Sequence, residues 1–199
     1  MFGVVSQEEI EKRVGRISQG VVSGARQLNS VNYNERAADT EISLLVIHNI
    51  SLPPKEFGTP CVEDFFLNKL DSTLDPFFEG IADLKVSAHL FVKRTGDIVQ
   101  FVNLNQRAWH AGVSSFHGRE GCNDFSIGIE MEGADDLAYE EIQYQVLAYL
   151  STLIEAEYPA ISVENTVGHC DIAPGRKTDP GESFNWQHYR QLRKGFANN

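Results

Sequence analysis

Six histidines are the residues of this chain best suited to chemistry, and two of them sit in unusual surroundings. His48 lies near the end of the apolar run Leu44–Ile50. An imidazole in such a place needs a partner, because burying an unsatisfied polar group is costly. His169 stands in Gly168-His169-Cys170-Asp171, at the mouth of a loop that carries Asp171, Arg176, Lys177 and Asp179. Two imidazoles and one carboxylate make a catalytic zinc shell that leaves a fourth position for water. Zinc acidifies that water and polarises a carbonyl under attack. Glu130 could handle the proton, and Lys177 could stabilise a developing oxyanion. The same residues also read without chemistry. His48 could be a core histidine bonded to a carbonyl, Arg176, Lys177 and Asp179 a solvated ion-pair loop, and Glu130 a solvent-facing strand residue. There is no His-Glu-x-x-His helix signature, so spacing alone leaves both readings open.

The elements that must position these residues follow from patterning. Residues 44–50 form a continuous apolar run, as expected of a strand covered on both faces. In 125–132, Ile127, Ile129 and Met131 alternate with Gly128, Glu130 and Glu132, which predicts a second strand. Residues 86–93, the Thr95-Gly96-Asp97 turn and residues 98–102 read as a hairpin. Thr59-Pro60 predicts a helix start and a helix over 61–70. Asp135 or Asp136 is a candidate cap for a helix carrying Leu147, Leu150, Leu153 and Ile154. A short strand over 163–167 and a closing helix from about Asn185 complete the pattern. Residues 103–123 form a long polar and aromatic loop, a length that often carries function. Ser6-Gln7-Glu8-Glu9 has a capping-box pattern before Ile10, Val14 and Ile17, and 29–39 reads as a polar linker. The division expected is an N-terminal extension, 1–38, and one catalytic domain, 39–199. Its class is mixed α/β, with a central mixed sheet flanked by helices.

Composition removes several functions. The net charge is −11, which disfavours nucleic acid and anionic lipid as partners. The most apolar run contains His48 and Asn49 and is far shorter than the roughly 20 residues of a spanning helix. The N-terminus has neither the basic lead nor the apolar core of an export signal, so a cytoplasmic protein is expected. Cys61, Cys122 and Cys170 have no Cys-x-x-Cys spacing and read as reduced thiols. A Cys-His hydrolase built on Cys122 or Cys170 lacks a recognisable nucleophile motif.

Several segments together resemble a known family. They are Ile42-Ser-Leu-Leu-Val-Ile-His-Asn-Ile-Ser-Leu-Pro-Pro54, Phe57-Gly-Thr-Pro-Cys61, Val86-Ser-Ala-His89, Arg107-Ala-Trp-His-Ala-Gly-Val-Ser114, Asn123-Asp-Phe-Ser-Ile-Gly-Ile-Glu130, Gly168-His169, and Asp171-Ile-Ala-Pro-Gly-Arg-Lys-Thr-Asp-Pro-Gly181. Over residues 41–192 the chain resembles the zinc amidases that share a fold with peptidoglycan recognition proteins and T7-type phage lysozyme. Among these it is most similar to the cytosolic 1,6-anhydro-N-acetylmuramyl-L-alanine amidases. The resemblance implies zinc ligands at His48, His169 and Asp179, a catalytic acid/base at Glu130, and transition-state stabilisation by Lys177. It implies substrate contacts at Asn49, Ala108, Trp109, His110 and Arg176, and leaves Asp171 outside the ligand set, where a carboxylate could brace the loop or support a ligand from behind. The implied reaction is zinc-dependent cleavage of the lactyl–L-alanine amide of a small muropeptide, in cell-wall recycling, by a monomer. Some relatives only bind peptidoglycan, typically because a zinc ligand is missing. All three matching ligands are present here.

Overall fold

The computed structural model describes residues 5–197. Its centre is a six-stranded sheet. In chain order the strands are β1 (Arg26–Gln27), β2 (Leu44–Ile50), β3 (Leu90–Val92), β4 (Ile98–Gln100), β5 (Ser126–Glu132) and β6 (Thr166–Gly168). Their spatial order is β6-β2-β5-β3-β4-β1. The contacts β6–β2, β2–β5 and β5–β3 are parallel, and only β3–β4 is an antiparallel hairpin. This is the mixed α/β single-domain architecture expected.

Strand alternation decides what faces what. Leu45, Ile47, Ile127, Ile129 and Met131 point to a core shared with three helices: α1 (Gln7–Val14), α2 (Glu141–Glu157) and α3 (Trp186–Ala197). Val146, Leu147, Leu150 and Ile154 of α2 supply the facing stripe, and Tyr189 of α3 and Ile10 and Val14 of α1 close it. On the opposite face Leu44 and Val46 pack with Ala111, Cys122, Phe125 and Ile172, so a layer of loops covers the sheet there. His48 continues the Leu44–Val46 side and therefore faces the loops, not the helices.

Three expectations are corrected. The helix predicted over 61–70 covers only Cys61–Phe66, because Asn68 takes a left-handed conformation (φ 58°) that ends it. Helix α2 starts at Glu141, where Gln143 Oε1 accepts from the Glu140 N–H. Asp135 does not cap it and instead accepts from Asn49 Nδ2 (2.8 Å), while Asp136 pairs with Lys55 (2.6 Å). The polar stretch 29–39 holds a two-residue strand, Tyr33–Asn34, paired with Arg107–Ala108. The N-terminal extension is packed into the fold: α1 lies on α2, and β1 forms a sheet edge. Ser6 caps α1 by accepting from the Glu9 N–H.

Candidate metal centre

Parallel strands bring their C-terminal ends to one edge of the sheet, where ligands of open α/β sheets bind. Here three neighbouring strands each deliver one functional residue. Glu130 of β5 is the register partner of His48 of β2, and Gly168, the last residue of β6, pairs with Ile47. His169 follows at once, so His169, His48 and Glu130 stand side by side. Asp179 arrives on the loop behind His169, held by the Cys170 N–H donating to its carbonyl (3.0 Å). Asp171 braces the same turn by accepting from the Gly168 N–H (2.7 Å).

His48 Nδ1, His169 Nδ1 and Asp179 Oδ2 form a triangle with every edge 3.0 Å. Among the described residues these three make the one group of His, Cys, Asp and Glu able to hold a metal ion together. The outer partners constrain which nitrogens carry protons. The Ala111 carbonyl can only accept, so His169 Nε2 donates to it (3.0 Å), leaving the Nδ1 lone pair turned into the triangle. His48 Nε2 faces His110 Nδ1 (2.9 Å) and its Nδ1 faces the triangle. Burial lowers the His48 pKa to about 4, so it stays neutral, as a ligand must be. An ion about 2.0–2.1 Å from each donor requires edges near 3.3 Å for a regular tetrahedral face, within a few tenths of those found. The donor set, two imidazoles and one carboxylate, suits a catalytic divalent ion with an open position.

Glu130 is 8% exposed, and its Oε2 has no hydrogen-bond partner among the described residues. Burial raises its pKa well above the ordinary carboxylate value, the charge of Asp179 adds to the rise, and Lys177 opposes it. A buried carboxyl whose pKa is raised, and whose outer oxygen is unpaired, is suited to take up and return a proton. Lys177 is exposed and lines the cleft, and its side chain makes no hydrogen bond or ion pair among the described residues, so its ammonium is available.

These groups open into a cleft of about 850 Å³. Its lining combines the triangle, Glu130, Lys177, Asn49 and Arg176 with the apolar side chains of Phe65, Phe66, Phe77, Ile81, Leu84 and Val86. Trp109 lies along the cleft with its indole N–H donating to Asn34 Oδ1 (2.7 Å). Ala108 is fully buried, paired with Tyr33 and packed in the apolar cluster beneath. The Arg176 guanidinium donates to the Ala111 and Val113 carbonyls (2.7 and 2.6 Å). His110 borders the cleft with its ring nitrogens directed at His48 and Ser126.

Sequence reasoning missed Ser126, Asn34, Asn123 and the apolar wall. Ser126 had one available signal, since Ser126, Gly128 and Glu130 share a strand face by alternation.

A family model described as N-acetylmuramoyl-L-alanine amidase matches residues 38–182. The chain belongs to the N-acetylmuramoyl-L-alanine amidase family. It is 53% identical over 176 residues to the 1,6-anhydro-N-acetylmuramyl-L-alanine amidase AmpD of Citrobacter freundii, covering 88% of this chain and 94% of that protein. The crystal structure of a selenomethionine derivative of AmpD superposes with a TM-score of 0.86 at 53% identity, covering 88% of this chain and 98% of that one. The amidase AmiD of Escherichia coli, solved with anhydro-N-acetylmuramic acid-L-Ala-D-γ-Glu-L-Lys, matches at TM-score 0.55 and 32% identity over 81% of this chain and 65% of that one.

Proposed function

We propose that this amidase hydrolyses the bond between the lactyl group of 1,6-anhydro-N-acetylmuramic acid and L-alanine, using zinc held by His48, His169 and Asp179. The observation that carries this reading is the 3.0 Å triangle of inward-facing donors with the unpartnered Glu130 carboxyl on the adjoining strand. The substrate class follows the relative named for the 1,6-anhydro sugar and the AmiD complex with its anhydro-muropeptide.

Zinc held by His48, His169 and Asp179 would supply Lewis acidity, acidifying a water and polarising the carbonyl under attack. Glu130 accepts the proton of the attacking water and returns it to the alanine nitrogen, so that one carboxyl serves as base and then acid. Lys177 faces the charge that develops on the carbonyl oxygen. Arg176 can meet a carboxylate of the stem peptide as well as bracing residues 111 and 113. Trp109 offers a flat face for a sugar or peptide, with Asn49 and His110 beside it and Ala108 supporting it from below. The partner is a small muropeptide, and a monomer suffices because every functional group comes from one chain. The charge of −11 disfavours nucleic acid and anionic membrane as partners. Residues 39–199 form the catalytic unit, and the extension 1–38 supports the Trp109 loop through Asn34. The cytoplasm is the compartment of this reading, since soluble anhydro fragments, not intact wall, are the substrate.

Incubating purified protein with an anhydro-muropeptide, with and without chelator, and weighing the products tests the reading. Free peptide and anhydro sugar, lost on chelation, are expected. Chelator-insensitive turnover indicates a thiol enzyme, and binding without turnover indicates a recognition module; either overturns the proposal. Fractionation that finds the native protein mainly in the periplasm overturns the compartment alone.

A further inference from the structure

His48 holds its metal-facing nitrogen in a protonation state that something must enforce. A neutral imidazole has one N–H, and either nitrogen can carry it. The atoms behind His48 decide the matter. The Cys122 carbonyl can only accept, and Ser126 Oγ lies 2.6 Å from it, so the Ser126 hydroxyl proton is committed there. Ser126 Oγ is also 3.1 Å from His110 Nε2 and, its proton spent, can only accept from it. His110 then carries its proton on Nε2 and presents a bare Nδ1 to His48 Nε2 at 2.9 Å. His48 must donate from Nε2, and its Nδ1 lone pair is left for the metal.

We propose that His110 is a positioning residue, the middle link of a relay from Cys122 O through Ser126 and His110 that fixes the tautomer and orientation of His48 and so sets zinc affinity. The inference rests on the zinc site proposed above. Four further features hold the link in place. The backbone N–H groups of His110 and Ala111 both donate to Asn123 Oδ1 (3.1 and 2.7 Å). Ring contacts with His48 and His89 are edge-on, at 5.0 and 5.6 Å. Gly128 leaves the space the ring occupies: a Cβ there would lie 2.5 Å from His110 Cγ and Nδ1. Ala111, the next residue, presents its carbonyl to His169, so residues 110 and 111 together orient both histidine ligands. A metal-bound histidine commonly passes its outer N–H to a carboxylate or a carbonyl. An imidazole acceptor does the same without adding negative charge, so the filled site stays net positive and keeps its pull on a carbonyl.

The test is zinc affinity, measured by competition with a chromophoric chelator on folded, full-length protein. His110→Leu should weaken binding roughly 10- to 100-fold, the range typical of lost outer partners. His110→Asn places Oδ1 where Nδ1 was and should restore affinity to within about threefold of wild type. Ser126→Ala frees the His110 tautomer and should weaken zinc by an intermediate factor with the ring still in place. Nitrogen NMR of the wild-type zinc form should find His110 protonated at Nε2 only. A His110→Leu variant that binds zinc as tightly as wild type, equal losses for Leu and Asn, or a proton on His110 Nδ1 overturns the inference while leaving the zinc site standing. Should His110→Leu not fold, Ser126→Ala and the NMR spectrum decide alone. Wild-type protein that binds no zinc rejects the underlying site instead.

Discussion

Replacing Glu130 with glutamine separates proton transfer from everything else the site does. The side chain keeps its length and planarity, and the cleft keeps its shape. What disappears is the exchangeable proton. Glu130 is 8% exposed and its Oε2 has no partner among the described residues, so none of their side chains is already bonded there to take over its role. A positioned acid/base contributes typically 10²–10⁴-fold, or about 3–5 kcal/mol of barrier, and that is the loss expected in kcat. Stability should move the other way. Burial and the charge of Asp179 oppose ionisation of Glu130, and a neutral amide removes that conflict, so the melting temperature should hold or rise. Zinc should be retained, because Glu130 is outside the 3.0 Å triangle. The assay is chromatographic release of peptide from anhydro-muropeptide, with metal analysis and thermal unfolding on the same preparation. A zinc-replete variant within about tenfold of wild-type kcat would refute the acid/base assignment.

Lys177→Met should lower kcat by about 10²–10³, as for loss of one oxyanion donor, with zinc content and melting temperature unchanged because the exposed ammonium makes no hydrogen bond or ion pair among the described residues; steady-state kinetics that move only KM would assign it to binding. Asn34→Ala removes the acceptor shared by Arg107 and the Trp109 indole and should raise KM several-fold with little change in kcat; an unchanged KM would detach the extension from function. His89 is fully buried, and burial lowers its pKa from 6.5 to about 3. The unfolded chain therefore takes up this proton first, and folding stability falls as pH drops from about 6.5 towards 3, by about 1.4 kcal/mol per pH unit. His89→Asn retains an acceptor for the Gly128 N–H and should flatten that slope by about one proton in denaturant titrations; an unaltered slope would show that His89 is not the group responsible.

The core of the fold was legible because burial writes itself into strand sequences. The apolar run 44–50 and the alternation of Ile127, Ile129 and Met131 named the two central strands and even the faces they turn. What pairs with what was not legible. The register that sets Glu130 beside His48 joins residues far apart in sequence; the family resemblance implied a role for each residue but not their pairing. Asp135 and Asp136 look like helix caps by type, but their carboxylates are engaged by Asn49 and Lys55 across the cleft. Residues 29–39 read as a linker because the strand there is two residues long, too short for any period to show. His110 was legible as a cleft residue. Its link to Ser126 depends on the loop folding back over β5, which no local pattern encodes.

The proposed activity depends on two imidazoles and one carboxylate sharing a single divalent ion. Titrating zinc into metal-stripped protein while following amide cleavage tests this most directly. Activity should be absent at the start, climb in proportion to added zinc and level off at about one ion per chain, and Asp179→Asn should shift the titration to much weaker binding. Undiminished cleavage by protein that elemental analysis finds free of metal would contradict it.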